Sequence, residues 1–401
     1  MLALLFLTFG GVCAMCWLGC SIFSADVESL QQPADTLCQW ENNAIEKHGV
    51  KPIIPMPRDG QPLRILHLGD SHLQAGILSG KLRSLLSAWS GEEALSEGYV
   101  FPYTIMKSNN PSTYAFETDA QWTFDKVTRS PALIDAGLAG TCVTTTEPNS
   151  SLTVSITNYA TDNNAFDRLT ILVPPGENFF EPTIADTFLL RAERHGQGWT
   201  FTLRQPVRRV TITLQQNSPE QTCFTLNGML LEHSASRLVY SAAGLNGASC
   251  RTLLRSRHLM AQVAALQPHL LIVSLGTNDA FTDTFTPDAF RDNLNALLGG
   301  LRRAAPNCQL LLALAGDHFW QQERSNPNVE LVNAALLDYA EQNGCLTWDF
   351  YALMGGAGAM HQWVEQGLAA PDLIHLSPSG YRLQAQMLYC ALTQTLLQPN
   401  N

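Results

Sequence analysis

The spacing of apolar and polar residues divides the chain after residue 25 into three regions. In the first region, residues 26–110, a short apolar run at residues 63–68 (LRILHL) predicts a buried strand. The following segment, residues 77–90, places leucines on one face and predicts a helix. A strand that leads directly into a helix is the first unit of a parallel α/β arrangement.

The second region, residues 111–232, alternates apolar and polar residues in short segments and shows no helical periodicity. Such alternation is typical of half-buried strands, and turn-forming clusters separate the segments. The segments are SLTVSITNYA, DRLTILV, TFLLRAE, WTFTLRQ and RVTITLQQ. This region is predicted to form an antiparallel β-sandwich of jelly-roll type.

The third region, residues 233–401, returns to strands alternating with helices. The strand segments are RLVYSAAG, LLIVSLG, QLLLALAG and CLTWDF, and helical patterns follow near residues 248–265, 287–304, 328–343 and 378–395. Because the first strand–helix unit precedes the β-rich region, the sandwich is predicted to be inserted into an α/β domain. The predicted fold is therefore a three-layer α/β/α domain with a mostly parallel sheet and an inserted antiparallel β-sandwich.

The first 25 residues contain no charged side chain, and they are apolar over a length that can just span a bilayer. We interpret this segment as a secretory signal peptide or an N-terminal membrane anchor, with a buried core helix as the alternative. Cys20, in the sequence LGCS, is a candidate site of lipidation. The expected location is the periplasm or cell envelope, after export, with or without an anchor or a lipid.

Charge and cysteine content exclude several classes of function. Lys and Arg number 24 against 35 Asp and Glu, a formal net charge of -11, so a nucleic acid partner is not expected. The cysteines after the leader are scattered without a metal-ligand spacing, so no zinc site is expected. Cys142 and Cys223 fall in the β-rich region, where an oxidising compartment would allow them to pair.

Polar clusters occur at four places in the α/β regions, three of them directly after predicted strands and one before the last predicted helix. They are residues 69–72 (GDSH), 245–248 (LNGA), 276–279 (GTND) and 372–375 (DLIH). In parallel α/β sheets active sites gather at the carboxyl ends of the strands, so these clusters are expected to meet at one rim.

The residue types in these clusters suit nucleophilic acyl transfer. Ser71 needs a base to take its proton, His375 can be that base, and Asp372 can orient and stabilise the imidazole. The backbone N–H groups of Ser71 and Gly247 and the Asn278 amide can form an oxyanion hole. Gly244 is the alternative to Gly247. No metal or other cofactor is expected.

The four ordered clusters resemble those of the SGNH (GDSL) hydrolase superfamily. This resemblance implies that Ser71 is the nucleophile, that His375 and Asp372 complete the triad, and that Ser71, Gly247 and Asn278 form the oxyanion hole. It also assigns residues 26–110 and 233–401 to the two parts of the hydrolase domain.

The motifs GDSH, GLNGAS and GGAGAM, with a β-sandwich between the first two, are similar to those of bacterial peptidoglycan O-acetylesterases. GGAGAM departs from the expected pattern because Ala359 replaces a serine. The resemblance implies a carbohydrate-binding-like insert at residues 111–232 and removal of acetyl groups from the C6 hydroxyl of N-acetylmuramic acid. An acetyl esterase for another polysaccharide and an inactive glycan-binding protein are the alternatives.

Other polar and aromatic side chains have two interpretations each. His67 lies within an apolar strand and is interpreted as a hydrogen-bonded core histidine. Candidates for either substrate contact or packing are His72, His318, His361, Trp320 and Trp363. On the insert, outward positions that suit either a carbohydrate or solvent are Thr200, Thr202, Arg204, Thr211 and Thr213. Replacing the insert by a linker is expected to spare hydrolysis of a small ester.

Overall fold

A computed structural model describes residues 42–50, 54–55, 60–91, 95–157, 164–176 and 179–398. The predicted leader, residues 1–25, lies outside this part of the chain. Within the described part, no helix has both the length and the apolar character needed to cross a membrane.

The described part of the chain contains both strands and helices, as the sequence pattern predicts. In chain order the strands are β1 (Ile45–Lys47), β2 (Ile54–Pro55), β3 (Leu63–Gly69), β4 (Gly98–Val100), β5 (Tyr114–Thr118), β6 (Thr123–Lys126), β7 (Thr141–Thr145), β8 (Ser150–Ile156), β9 (Phe166–Leu172), β10 (Glu181–Thr183), β11 (Leu189–His195), β12 (Gly198–Val207), β13 (Arg209–Gln215), β14 (Phe224–Leu226), β15 (Gly228–Glu232), β16 (Leu238–Gly244), β17 (Leu270–Ser274), β18 (Gln309–Ala313), β19 (Phe319–Trp320), β20 (Arg324–Ser325), β21 (Leu346–Trp348) and β22 (Leu397–Gln398). The helices are α1 (Ser71–Gln74), α2 (Ile77–Ser90), α3 (Cys250–Leu253), α4 (Leu259–Leu266), α5 (Thr277–Ala280), α6 (Pro287–Ala304), α7 (Asn328–Asn343), α8 (Phe350–Met354), α9 (Ala359–Glu365) and α10 (Pro378–Thr395).

A six-stranded sheet forms the centre of the α/β domain, in the order β1-β21-β18-β17-β3-β16. All neighbouring pairs are parallel except β1 with β21. Helices cover the sheet on both sides, with α2 packed on α10, and α6 packed on α3, α4 and α7. Since both faces are buried, strands such as β3 are almost continuously apolar, which is the pattern seen in the sequence. The predicted α/β/α fold is confirmed.

The insert consists of antiparallel sheets whose inward side chains share one core. One sheet has the order β10-β13-β8-β5, a second has the order β11-β12-β9-β15-β4, and a third has the order β14-β7-β6. Along β13 buried residues alternate with exposed or half-buried ones, as the sequence pattern predicts for a strand with one face on a core. The predicted inserted β domain is confirmed.

The insert interrupts one predicted helix. The pattern near residues 248–265 forms two short helices, α3 and α4, instead of one. Between them, the backbone of residues 255–258 bonds to the insert, where Arg255 O accepts the Ile134 N–H and the His258 N–H donates to Ala136 O. These long-range bonds use backbone groups that a continuous helix would need for itself.

Three further details differ from the sequence-based expectations. The antiparallel region extends back to Gly98, because β4 pairs with β15. Cys142 and Cys223 are both free thiols and do not form the disulfide that their positions suggested. Thr200 does not point into solvent, because it is only 8% exposed and hydrogen-bonds to Thr170 on the neighbouring strand.

Candidate active site

Ser71 lies at the point where the central strand β3 ends. Asp70 caps the short helix α1, and its Oδ1 accepts the His72 N–H at 3.0 Å. Ser71 is the first residue of that helix, so its own N–H has no acceptor within the helix. The strand-to-helix turn therefore presents both the Ser71 hydroxyl and a backbone donor at the carboxyl rim of the sheet.

Ser71, His375 and Asp372 form a continuous hydrogen-bonded chain. Ser71 Oγ lies 2.9 Å from His375 Nε2, and His375 Nδ1 lies 2.7 Å from Asp372 Oδ2. Asp372 Oδ1 also accepts the backbone N–H groups of Ile374 and His375, each at 2.9 Å. These bonds hold the Asp372 carboxylate and the His375 imidazole in one orientation within the tight turn that joins them.

The electrostatics of this chain keep the aspartate charged and the histidine basic. Burial alone would raise the pKa of Asp372, but hydrogen bonds from the His375 side chain and from nearby backbone N–H groups lower it to about 2. Burial alone would lower the pKa of His375. The hydrogen bond and charge of Asp372, with the charge of Asp70, outweigh burial and raise that pKa above its ordinary value.

Gly247, a predicted oxyanion donor, lies in an exposed loop after β16 with φ of 81°. This left-handed conformation favours glycine, and the Gly247 N–H has no acceptor within the part of the chain that the structure describes. The alternative, Gly244, belongs to β16 itself, and a Cβ there would lie 2.5 Å from the Gln74 nitrogen. Gly244 therefore permits close packing of strand and helix, whereas Gly247 offers a donor toward solvent.

Asn278, the third predicted donor, lies between the other groups but is already hydrogen-bonded. Its Nδ2 donates to Asp70 Oδ2 at 3.2 Å and to Ala248 O at 3.0 Å. An oxyanion would have to share or replace one of these acceptors. The neighbouring Asp279 anchors the loop, since its carboxylate accepts the Cys250 N–H at the start of α3.

The remaining histidines divide between rim and core. His67 is a core residue, as predicted, bonded to Tyr240 and Ser274, and burial lowers its pKa to about 3. His72 lies beside the triad, with its ring centroid 5.2 Å from that of His375 and its Nδ1 3.0 Å from Tyr381 Oη.

His318 is buried and bonds to Asn326, and burial lowers its pKa to about 4. His361 is exposed and packs edge-on against Phe319, with the ring centroids 4.4 Å apart.

The two candidate tryptophans have different surroundings. Trp363 is a core residue that donates to Met354 O and packs against Phe350, so it cannot stack on a sugar. Trp320 is half-buried and lies 4.8 Å from Phe281, measured between ring centroids. Phe281 is 38% exposed. Sequence reasoning missed Phe281, although an aromatic residue three positions after Asn278 was a usable signal.

Within the described segments, no group of three or more His, Cys, Asp or Glu side chains is arranged to hold a metal ion. The chemistry that Ser71, His375 and Asp372 can perform is proton transfer and nucleophilic attack by a hydroxyl.

Comparison with known proteins agrees with this arrangement. Residues 216–383 match the model of the GDSL-like lipase/acylhydrolase family. This range contains Gly247, Asn278, Asp372 and His375, and the fold brings Ser71 to them from the other side of the insert. No curated protein matches the sequence.

Solved structures with the same fold include a peptidoglycan O-acetylesterase, which is 23% identical and aligns with 83% of this chain and 91% of its own at a TM-score of 0.67. A GDSL-like lipase from Parabacteroides merdae is 18% identical over 39% of this chain and 73% of its own, with a TM-score of 0.33. A lipase/acylhydrolase from Enterococcus faecalis is 20% identical over 41% and 80%, with a TM-score of 0.32.

Residues 216–383 therefore resemble the GDSL-like lipase/acylhydrolase family, and the fold is similar to that of a peptidoglycan O-acetylesterase.

Proposed function

We propose that the protein is a serine esterase of the SGNH (GDSL) type that removes O-acetyl groups from cell-wall glycan, at the C6 hydroxyl of N-acetylmuramic acid in peptidoglycan, through an acetyl-enzyme intermediate. The observation that carries the proposal is the unbroken chain from Ser71 Oγ through His375 to Asp372, with links of 2.9 and 2.7 Å. This geometry lets a serine hydroxyl lose its proton as it attacks an ester.

In the first half of the reaction, His375 Nε2 takes the Ser71 proton while Oγ forms a bond to the acetyl carbonyl carbon. The carbonyl oxygen becomes an oxyanion, which the Ser71 and Gly247 N–H groups and the Asn278 amide stabilise. The tetrahedral intermediate then breaks its bond to the sugar oxygen. His375 returns the proton to that oxygen, so the sugar leaves as an alcohol and the acetyl group stays on Ser71.

In the second half, water replaces the sugar hydroxyl. His375 Nε2 removes one proton from water as its oxygen bonds to the acetyl carbon, and the bond to Ser71 Oγ then breaks. The proton on His375 passes to Ser71 Oγ, and acetic acid leaves and ionises in solution. Asp372 stays charged throughout and stabilises the imidazolium that forms in both halves.

Two observations support a glycan as the substrate. A peptidoglycan O-acetylesterase has this fold over most of both chains. The exposed Phe281 and the half-buried Trp320 also pack together at the rim of the site. Aromatic rings of this kind offer apolar surface to the C–H faces of a sugar ring.

Backbone connections hold this aromatic pair beside the triad. Phe281 directly follows α5, the helix that carries Asn278. The Phe319 N–H, next to Trp320, donates to Leu373 O at 2.9 Å, inside the turn between Asp372 and His375. A sugar stacked on Phe281 and Trp320 would therefore carry its acetyl ester close to Ser71. A substrate in the cell wall also requires an exported enzyme, in agreement with the apolar first 25 residues.

The proposal is tested by measuring acetate released from O-acetylated peptidoglycan and, at equal ester concentration, from acetylated xylan. We expect preferential release from peptidoglycan and none with Ser71→Ala. Equal or faster release from xylan would assign the enzyme to another polysaccharide. Release from p-nitrophenyl acetate alone would leave the esterase without a glycan substrate and refute the proposal.

A further inference from the structure

The insert reaches the active site through Gln74, a residue outside the four sequence clusters. Gln74 ends helix α1, three residues after Ser71, and is 1% exposed. Its Nε2 lies 2.9 Å from Ser108 Oγ, Asn109 O and Asn109 Oδ1, in the segment between β4 and β5 of the insert, which begins at Gly98 in the structure. Its Oε1 accepts the Asn246 N–H at 2.7 Å. One buried amide thus joins the nucleophile helix, the insert and the residue before Gly247.

A second bond closes the same network. Asn246 Nδ2 donates to Asn109 Oδ1 at 2.7 Å, so Asn109 accepts from both Gln74 and Asn246. In the loop that carries Gly247, the Asn246 backbone therefore bonds to Gln74 and the Asn246 side chain bonds to Asn109. These two bonds fix the loop.

A second segment of the insert, at Thr128, lies close to Gly247. A Cβ on Gly247 would lie 3.6 Å from the Thr128 methyl carbon, Cγ2. The Arg255 guanidinium holds the Thr128 segment in place, donating to Val127 O at 3.2 Å and Ser130 O at 2.8 Å. The insert therefore contacts the Gly247 loop from two separate segments.

We propose that Gln74 and Asn109 are positioning residues that hold the Gly247 N–H at the oxyanion, and that the insert is thereby part of the catalytic apparatus. This inference rests on the proposed function of Gly247 as an oxyanion donor. An oxyanion donor acts only if it is fixed before charge develops, and misplacement by about 1 Å can cost about 100-fold in rate. Gln74 is buried and Asn109 bonds to it and to Asn246, so the effect passes through the loop.

The inference reverses an expectation drawn from the sequence. A linker in place of the whole antiparallel region, residues 98–232, would remove Asn109 and Thr128, so it would impair hydrolysis of even a small ester. Point variants in the full-length chain test the positioning role of these residues without replacing the insert.

The central comparison is Asn109→Ala with Asn109→Asp on p-nitrophenyl acetate. Asn109 is exposed, so removal of its side chain is expected to leave the melting temperature nearly unchanged. We expect Asn109→Ala to lower kcat about 10-fold with little change in KM, because ground-state binding does not use the oxyanion hole. Asn109→Asp keeps the Oδ acceptor and should restore most of kcat.

Further variants separate positioning from folding. Gln74→Leu should lower kcat about 100-fold, and the loss in the double variant with Asn109→Ala should be less than additive because the residues share one network. If Gln74→Leu does not fold, Gln74→Glu keeps the acceptor for Asn246 and loses the donor to Asn109, and a smaller fall in kcat is expected. Asn217→Ala, an exposed asparagine of the insert that bonds to Glu181, is the matched control and should match wild type.

The pH dependence of kcat gives an independent readout. Its midpoint should not move in Asn109→Ala, because the His375–Asp372 pair is untouched and the variant adds no charge near His375. Wild-type kcat in folded Asn109→Ala and Gln74→Glu would overturn the inference, as would a kcat loss that Asn109→Asp does not restore. An enzyme that hydrolyses p-nitrophenyl acetate but not acetylated peptidoglycan would refute the proposed substrate and leave this inference standing.

Discussion

The parallel sheet and the inserted antiparallel sheets use their polar residues in opposite ways. In the parallel sheet the strands are mostly apolar, apart from the buried His67, and the polar residues of the site collect where strands end. Ser71 and Asn278 therefore lie at one rim although more than 200 positions separate them. In the insert the polar residues lie in the middle of strands and pair across them. The cross-strand pairs are Thr153 with Thr211, Thr170 with Thr200 and Thr144 with Thr225.

This difference separates two uses of a hydroxyl group. The Ser71 hydroxyl faces a base at the edge of the fold, where substrate can reach it. The threonine hydroxyls of the insert are satisfied by one another at about 3 Å, which stabilises adjacent strands but leaves fewer groups for a ligand. The α/β domain therefore carries the chemistry, and the insert acts on it through the loop contacts of Asn109 and Thr128.

Removing one hydroxyl from each region gives the largest expected contrast. Ser71→Ala should lower kcat on p-nitrophenyl acetate about 10⁶-fold, because no other group can carry the acetyl intermediate. Thr211→Val, which removes a paired hydroxyl of the insert, should change kcat less than about 2-fold because this pair lies outside the network at Gly247. Comparable kcat losses in the two folded variants would contradict the division of roles.

The Asp372 carboxylate is expected to have the next largest effect. Asp372→Asn should lower kcat about 10⁴-fold, because His375 loses the partner that fixes its tautomer and stabilises its charged form. Protonated His375 cannot accept the Ser71 proton, so activity falls as pH falls through the pKa of His375. That pKa is raised in the wild type, so the midpoint of kcat/KM should lie above about 6.5 and move lower in Asp372→Asn.

Another histidine–aspartate pair supplies the control for this experiment. Asp135 lies 3.3 Å from His258 outside the site. Asp135→Asn should leave both kcat and the pH midpoint unchanged. An unchanged midpoint in Asp372→Asn would show that the aspartate does not set the basicity of His375.

Prediction from sequence succeeded where a pattern is complete within one segment. The helices at 287–304, 328–343 and 378–395 have the predicted bounds. In α6 and α10 a capping residue, Thr286 or Ser377, precedes a proline at the first helical position. The break between α3 and α4 was not predictable, since it depends on Ile134, more than 100 residues earlier in the chain.

The candidate site shows the same limit. Ser71, Gly247, Asn278, Asp372 and His375 all belong to short motifs that follow predicted strands or precede the last predicted helix, and the structure brings them together. Gln74 and Asn109 belong to no motif, and their importance comes from hydrogen bonds between segments that are distant in the chain. Sequence reasoning predicted the reacting groups, which stay a prediction, and gave no signal for Gln74 and Asn109.

Core truncation tests whether the two regions are thermodynamically one body. Leu152 in β8 and Leu271 in β17 are both buried and belong to one continuous apolar core. Leu152→Ala and Leu271→Ala should each lower the free energy of unfolding by about 2–5 kcal/mol, with a single transition by calorimetry. Two separate transitions, only one of them shifted by Leu152→Ala, would show that the insert unfolds independently.

Exposed aromatic residues in the two regions give the smallest and most specific contrast. Phe281 at the rim of the site is 38% exposed, and Phe188 beside the edge strand of the insert is 42% exposed. Stacking of a sugar on Phe281 is worth about 0.5–1.5 kcal/mol, so Phe281→Ala should raise KM for acetylated glycan about 2- to 10-fold. Its kcat and KM on p-nitrophenyl acetate should stay at wild-type values, because that ester carries no sugar.

Phe188→Ala is the matched control and should leave KM for glycan unchanged. The opposite result, a raised KM in Phe188→Ala alone, would place the glycan chain on the insert and not on the rim.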